Sequence, residues 1–199
     1  MNYPEFFDSV ESIKVVDPLS NILGAFENGV YEITFLEVVK AAGHSCPTVA
    51  GAYITTLMGL KALYPDSPAV RGEIKVAFKE SLEEGVAGVI GNVISQITGA
   101  TDKSGFKGLG GKFARHSLMN FDAKISSSVK FTRVDNGKSV DVYYDPSSIG
   151  GSPKMQQLMQ KMMGGMATPA EIKEFGALWQ DRVKRIFENI SSVTRVVKE

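Results

Sequence analysis

Between Thr34 and Pro68 the chain marks its own helix ends. Thr34-Phe35-Leu36-Glu37 has the Thr-x-x-Glu pattern of a capping box, in which each side chain satisfies a free backbone donor at the other end. Phe35, Val38, Val39 and Ala42 follow on one helical face, and Gly43 stands where a C-cap belongs. Pro47 then occupies the first position of a second helix, which makes Cys46 its N-cap. Val49, Ala52, Tyr53, Leu57, Leu60 and Leu63 carry that helix for about four turns. Tyr64-Pro65-Asp66-Ser67-Pro68 ends it. Whatever else the chain forms must pack around two helices joined at Gly43-His44-Ser45-Cys46.

The remaining segments supply a sheet and more helices. Ile74, Val76 and Phe78 alternate with mostly charged residues and predict a half-buried strand. Val129, Phe131 and Arg133 alternate again, as do Val140, Val142 and Tyr144. The Asn136-Gly137 pair between these runs predicts a hairpin, because both residues tolerate positive φ. Helical spacing predicts a short helix over 5–14, another from Asp17-Pro18 to Leu23, and a longer one over 82–98. A glycine-rich loop spans roughly 99–112. Residues 146–167 hold Met155, Met159, Met162, Met163 and Met166 at the spacing of one helical face, which suits core or interface packing. Thr168-Pro169-Ala170-Glu171 is a second capping box, opening a stripe from Ile172 through Trp179 to Ile190. The expected fold is α+β: an antiparallel sheet with a hairpin packed against several helices, and a helical C-terminal extension. The expected organisation is an N-terminal helical segment (1–30), an α+β domain (31–145), and a Met-rich linker with a C-terminal helix on the same domain (146–199).

Composition narrows the function classes. The 22 Lys and Arg balance 22 Asp and Glu, which argues against non-specific nucleic-acid binding and against a polybasic membrane anchor. No stretch is long and apolar enough to span a bilayer, and the acidic, aromatic N-terminus does not resemble a secretory leader. One cysteine among 199 residues excludes an internal disulfide, a four-cysteine zinc site and a cysteine-ligated iron–sulfur cluster, and makes the cytoplasm the expected compartment.

Gly43-His44-Ser45-Cys46-Pro47 concentrates the chemistry. A helix N-terminus carries unpaired N–H groups and partial positive charge, which favour a thiolate at Cys46. His44, two residues away, can aim a ring nitrogen at the same point, and imidazole with thiolate suits Zn²⁺, Fe²⁺ or Ni²⁺. A buried cysteine also serves simply as a small hydrophobe. His116 is the only other imidazole. As a third ligand it leaves one coordination position open for water or substrate, with Glu37 or Asp102 as carboxylate substitutes. The glycine-rich stretch fits neither the P-loop nor the Gly-x-Gly-x-x-Gly pattern. Its Lys103, Lys107, Lys112 and Arg115 face only Asp102 and can gather an anionic ligand. The alternative to a metal site is a metal-free enzyme or carrier with Cys46 as thiolate nucleophile and this basic loop as its anion site.

Ala42-Gly43-His44-Ser45-Cys46-Pro47-Thr48-Val49-Ala50-Gly51 resembles the FmdE-like family of formylmethanofuran dehydrogenase proteins, which carries Gly-His-x-Cys-Pro entering a helix of small residues. The resemblance continues through Thr98-Gly99-Ala100-Thr101 and Gly111-Lys112 and covers roughly residues 30–145. The chain departs from that pattern at Ala42, where a histidine is frequent, at Thr48, where glycine is, and at Ala100, where cysteine is. It also lacks the C-terminal zinc-ribbon cysteines of some members. The resemblance implies an α+β fold, a metal near His44 and Cys46, a homodimer, and a small-molecule ligand or an accessory role in a larger molybdenum or tungsten oxidoreductase of one-carbon metabolism.

Overall fold

The computed structural model describes residues 2–199. The fold is α+β, with two mixed sheets and helices packed against them. After a 3₁₀ turn at Glu5–Ser9 come β1 (Ile13–Val16), α1 (Pro18–Ile22), β2 (Val30–Ile33) and α2 (Phe35–Ala42). Next are α3 (Pro47–Leu63), β3 (Ala69–Val70), β4 (Ile74–Phe78), α4 (Ala87–Thr98) and β5 (Met119–Asn120). β6 (Val129–Arg133), β7 (Ser139–Tyr144), α5 (Pro153–Met163), α6 (Pro169–Glu188), α7 (Ile190–Val193) and β8 (Thr194–Lys198) complete the chain. The smaller sheet has the order β2-β1-β3 and the larger β5-β4-β6-β7-β8. In the larger sheet β4, β6, β7 and β8 pair antiparallel, and β5 joins β4 in parallel.

α3 is the centre of the molecule. Twelve of its 17 residues are buried, so it is covered on nearly every side rather than along one stripe. It packs on α2, α4 and α6 and on β6, β7 and β8. Two glycines let it sit close to the sheet: a Cβ on Gly51 would lie 2.2 Å from the Tyr144 ring, and one on Gly59 2.6 Å from Phe131. One continuous core joins both sheets, from Ile13 and Val15 through Phe35, Val49 and Tyr53 to Val76, Phe131 and Val142.

Both predicted capping boxes form, at Thr34–Glu37 and Thr168–Glu171. Gly43 takes the left-handed C-cap conformation, and Cys46 is the N-cap of α3 with Pro47 at its first position. Other expectations change. The helix expected over 5–14 stops at Ser9, because Ile13–Val16 pairs with Val30–Ile33 and strand pairing overrides the helical spacing. The N-terminal segment is therefore not purely helical. α4 begins at Ala87 rather than 82, after Gly85 turns out of the helical range at φ 52°. The predicted hairpin forms; Gly137 adopts positive φ, and Asn136 accepts from the Lys138 N–H through its side chain. The C-terminal extension is not all helical either: α6 ends at Glu188, and Thr194–Lys198 adds an unpredicted strand beside β7. Of the methionines, Met155 is buried, whereas Met163 and Met166 are exposed near the turn between α5 and α6. Among the described residues no helix is long and apolar enough to cross a membrane.

Candidate functional site

The turn between α2 and α3 is held from three sides. His44 is exposed, and its Nδ1 lies 3.1 Å from the Ala42 carbonyl. A carbonyl only accepts, so Nδ1–H donates, and in the neutral ring Nε2 carries the lone pair. Ser45 O accepts from Trp179 Nε1 at 3.0 Å and from Gln180 Nε2 at 3.1 Å, so α6 clamps the turn. Cys46 is half-buried, and its Sγ accepts from the Val49 N–H at 3.4 Å. One residue on, Pro47 O accepts from the Tyr144 hydroxyl at 3.1 Å, which ties the start of α3 to the end of β7. Burial pushes that hydroxyl well above the usual phenol range; nearby Arg182 opposes the shift, and Cys46 and Asp145 add to it. Two buried polar atoms at the clamp, Ser45 Oγ and Gln180 Oε1, have no partner within the chain among the described residues.

Beside this turn lies a hollow of about 370 Å³. Thr48, Gly51, Ala52 and Thr55 form its α3 wall, at the i, i+3, i+4, i+7 spacing of one helical face. Phe78, Lys79 and Glu80 from the end of β4 stand among the other lining residues, with Val86, Ile90, Ser128 and Tyr144. Sequence reasoning did not assemble this site, because its walls come from α3, α4 and three strands. The signal available was the row of small and hydroxyl residues along a helix whose other faces are large and apolar.

The three expected metal ligands are not brought together within one chain. Among the described residues no three His, Cys, Asp or Glu side chains are gathered so as to hold a metal ion. His116 therefore does not join His44 and Cys46. It lies in the loop after α4, with Nδ1 3.0 Å from Ser117 Oγ. Glu37 does not replace it, since its carboxylate accepts from the Thr34 N–H and hydroxyl at 2.7 and 2.9 Å in the capping box. Asp102 belongs to no such group either. One chain thus offers His44 and Cys46 as donors, one short of a three-ligand site.

The anion-binding expectation changes as well. Arg115 is 6% exposed, and its Nη2 lies 2.6 Å from Asp17, so its charge is committed to a buried ion pair. Lys103, Lys107 and Lys112 remain exposed. The glycine-rich stretch folds as a tight hairpin: Leu109 and Lys112 exchange backbone hydrogen bonds at 2.9 Å around Gly110 and Gly111, both at positive φ. That geometry is the primed two-residue turn, which needs residues free of a Cβ clash.

No protein-family model matches the chain, and no curated protein matches it.

Proposed function

We propose that this chain binds a small molecule in the hollow along the first two turns of α3, with the Cys46 thiol at the head of that helix. The observation that carries the reading is the hollow itself. Its volume of about 370 Å³ falls in the range of small-ligand sites, roughly 300–1,000 Å³. It has a mostly apolar lining with a few polar groups, and its wall begins on Pro47, the residue after Cys46. The test is a fragment screen followed by two-dimensional NMR on the full chain. Bound fragments are expected to shift the Thr48, Gly51, Ala52 and Thr55 amides, and Thr48→Phe, which fills the hollow, is expected to abolish those shifts. Fragments that bind elsewhere, or bind the variant equally well, overturn the reading.

A second reading rests on His44. Its free Nε2 two residues from a thiol suits Zn²⁺, Fe²⁺ or Ni²⁺, provided that a bound molecule, water or a second copy of the chain supplies the remaining ligands. The resemblance to the FmdE-like family supports this metal, a homodimer, and an accessory role beside a molybdenum or tungsten one-carbon enzyme in the cytoplasm. Iodoacetamide separates this from Cys46 acting as a free nucleophile. A metal-held thiol is alkylated only after chelation, whereas a free one reacts at once. Purified protein holding less than about a tenth of an equivalent of metal, unchanged by Cys46→Ala, removes the metal.

A further inference from the structure

Two loops leave the body of the fold at one point. The first runs from Asp17 to Gly29 and closes where the Asp17 N–H donates to the Gly29 carbonyl at 2.8 Å. The second runs from Thr101 to Arg115, through the glycine-rich hairpin, and closes where the Thr101 N–H donates to the Arg115 carbonyl at 2.9 Å. The ion pair between Arg115 and Asp17 joins the two necks. Both loops hold large apolar side chains in water. Ile22, Leu23 and Phe26 are half exposed or more in the first, and Phe106 and Leu109 more than a third in the second. A single exposed leucine is ordinary, whereas five such side chains on two loops with a common root mark an interaction surface.

The hairpin adds charge of one sign. Lys103, Lys107 and Lys112 are exposed and stand in no ion pair among the described residues. Lys61, Lys130, Lys154, Lys161 and Lys184 are by contrast each paired with a carboxylate. No acidic residue occurs from Lys103 to Arg115; Asp102 stands at the foot of the hairpin, and Glu27 is the one carboxylate from Pro18 to Gly29. The three lysines therefore outnumber the carboxylates, and at the root Arg71 and Arg115 share the single charge of Asp17. The chain as a whole is neutral, so this positive excess is local.

Apolar tips with lysines between them select the occupant. A second copy meeting this face across a two-fold axis sets the same lysines against each other, which is repulsive. A nucleic acid suits the lysines but offers nothing to Ile22, Leu23 and Leu109, which have no ring to stack on a base. An anionic lipid surface suits both. Apolar side chains enter the boundary between headgroups and acyl chains, and lysines remain at the negative surface.

We propose that the loops Asp17–Gly29 and Thr101–Arg115 form a docking surface for anionic phospholipid. The attachment is peripheral, made by side chains at the loop tips, and the hollow takes no part in it.

The full chain is sedimented with vesicles of phosphatidylcholine containing about one third phosphatidylglycerol, and with vesicles of phosphatidylcholine alone. The anionic vesicles are expected to carry the protein down and the neutral ones to leave it in solution. Lys107→Ala with Lys112→Ala is expected to weaken binding about fivefold for each lysine removed. Leu23→Ser with Leu109→Ser is expected to weaken it at least about fivefold and to melt as the parent does, because both side chains are already exposed. Lys173→Ala, at an exposed lysine of α6, is expected to change nothing. Equal binding to both kinds of vesicle, or none to the anionic kind, overturns the proposal. Anionic binding that survives both double variants also overturns it. A single-stranded oligonucleotide that binds through Lys107 and Lys112 while the vesicles stay bare overturns it in favour of nucleic acid. A dimer that the two serine substitutions dissolve, again with bare vesicles, overturns it in favour of a second copy.

Discussion

Asp17 shows how much one buried side chain can hold. Its carboxylate caps α1 by accepting from the Leu19 and Ser20 N–H groups at 3.0 and 3.2 Å. It also pairs with Arg71 Nη1 at 3.0 Å and Arg115 Nη2 at 2.6 Å. Arg71 in turn donates to the Ile97 and Gln96 carbonyls at the end of α4. One carboxylate therefore fastens α1, the strand following α3, the end of α4 and the glycine-rich hairpin. Burial alone raises its pKa; the Ser20 N–H, the Arg115 charge and the hydrogen bonds from Arg71 and Arg115 outweigh burial and hold it below the ordinary carboxylate value. A lowered folded pKa contributes stability above the unfolded value of about 3.9 and loses it as pH falls through the folded value. Asp17→Asn keeps a capping side chain but strands the buried Arg115 guanidinium and takes the anionic partner from half-buried Arg71. It is expected to cost about 3–5 kcal/mol in urea denaturation at neutral pH, and to flatten the loss of stability that the parent shows below about pH 4. Equal stability of the two at pH 7 would show that the pair is not holding these elements. Asp17-Pro18 is readable as a helix start; its partners are 54 and 98 residues away, and no local pattern points to them.

At the scale of elements, caps were the readable feature and pairing was not. Thr34, Cys46 and Thr168 each start a helix where the residue pattern puts it. The helix predicted over 5–14 runs into the start of β1, and β8 lies beyond the stripe that ends at Ile190, because a strand's identity depends on the neighbour that pairs with it. α6 connects this scale to the site, since Trp179 and Gln180 grip Ser45. Its capping box keeps Glu171 ionised: Lys161, then the Thr168 N–H and hydroxyl, lower its pKa to about 2. Thr168→Ala is expected to cost about 0.5–2 kcal/mol of stability and to speed amide exchange in the first turn of α6. Trp179 and Gln180 lie about three turns further along the helix, so the Ser45 turn is expected to keep its chemical shifts. Loss of the Trp179 side-chain N–H signal in this variant would show that the cap and the clamp are one unit.

Over the whole molecule, the chain's last strand closes the sheet on which α3 lies. β8 pairs with β7 from Val140↔Lys198 to Tyr144↔Thr194. β7 carries Tyr144, which lines the hollow and holds Pro47. Removing residues 194–199 bares the β7 edge and leaves its backbone groups open to another chain. The shortened protein is expected to elute with a large aggregated fraction in size-exclusion chromatography. Its remaining monomer is expected to show weaker tyrosine near-ultraviolet dichroism. A monomer with parent-like dichroism and melting would mean that β8 is dispensable to the sheet.

The sequence by itself determined the α+β class, the helix starts at Thr34, Cys46 and Thr168, and the three alternating strands β4, β6 and β7. Capping and alternation act over three to eight neighbouring residues, so they are written locally. Only the tertiary structure decided that Arg115 turns inward to Asp17, that His44, Cys46 and His116 do not gather as one group, and that Thr48, Thr55, Lys79 and Tyr144 share one hollow. Those outcomes depend on which buried charge finds a partner and on how closely α3 approaches the sheet at Gly51 and Gly59. Desolvation and packing settle both, between residues far apart in the chain.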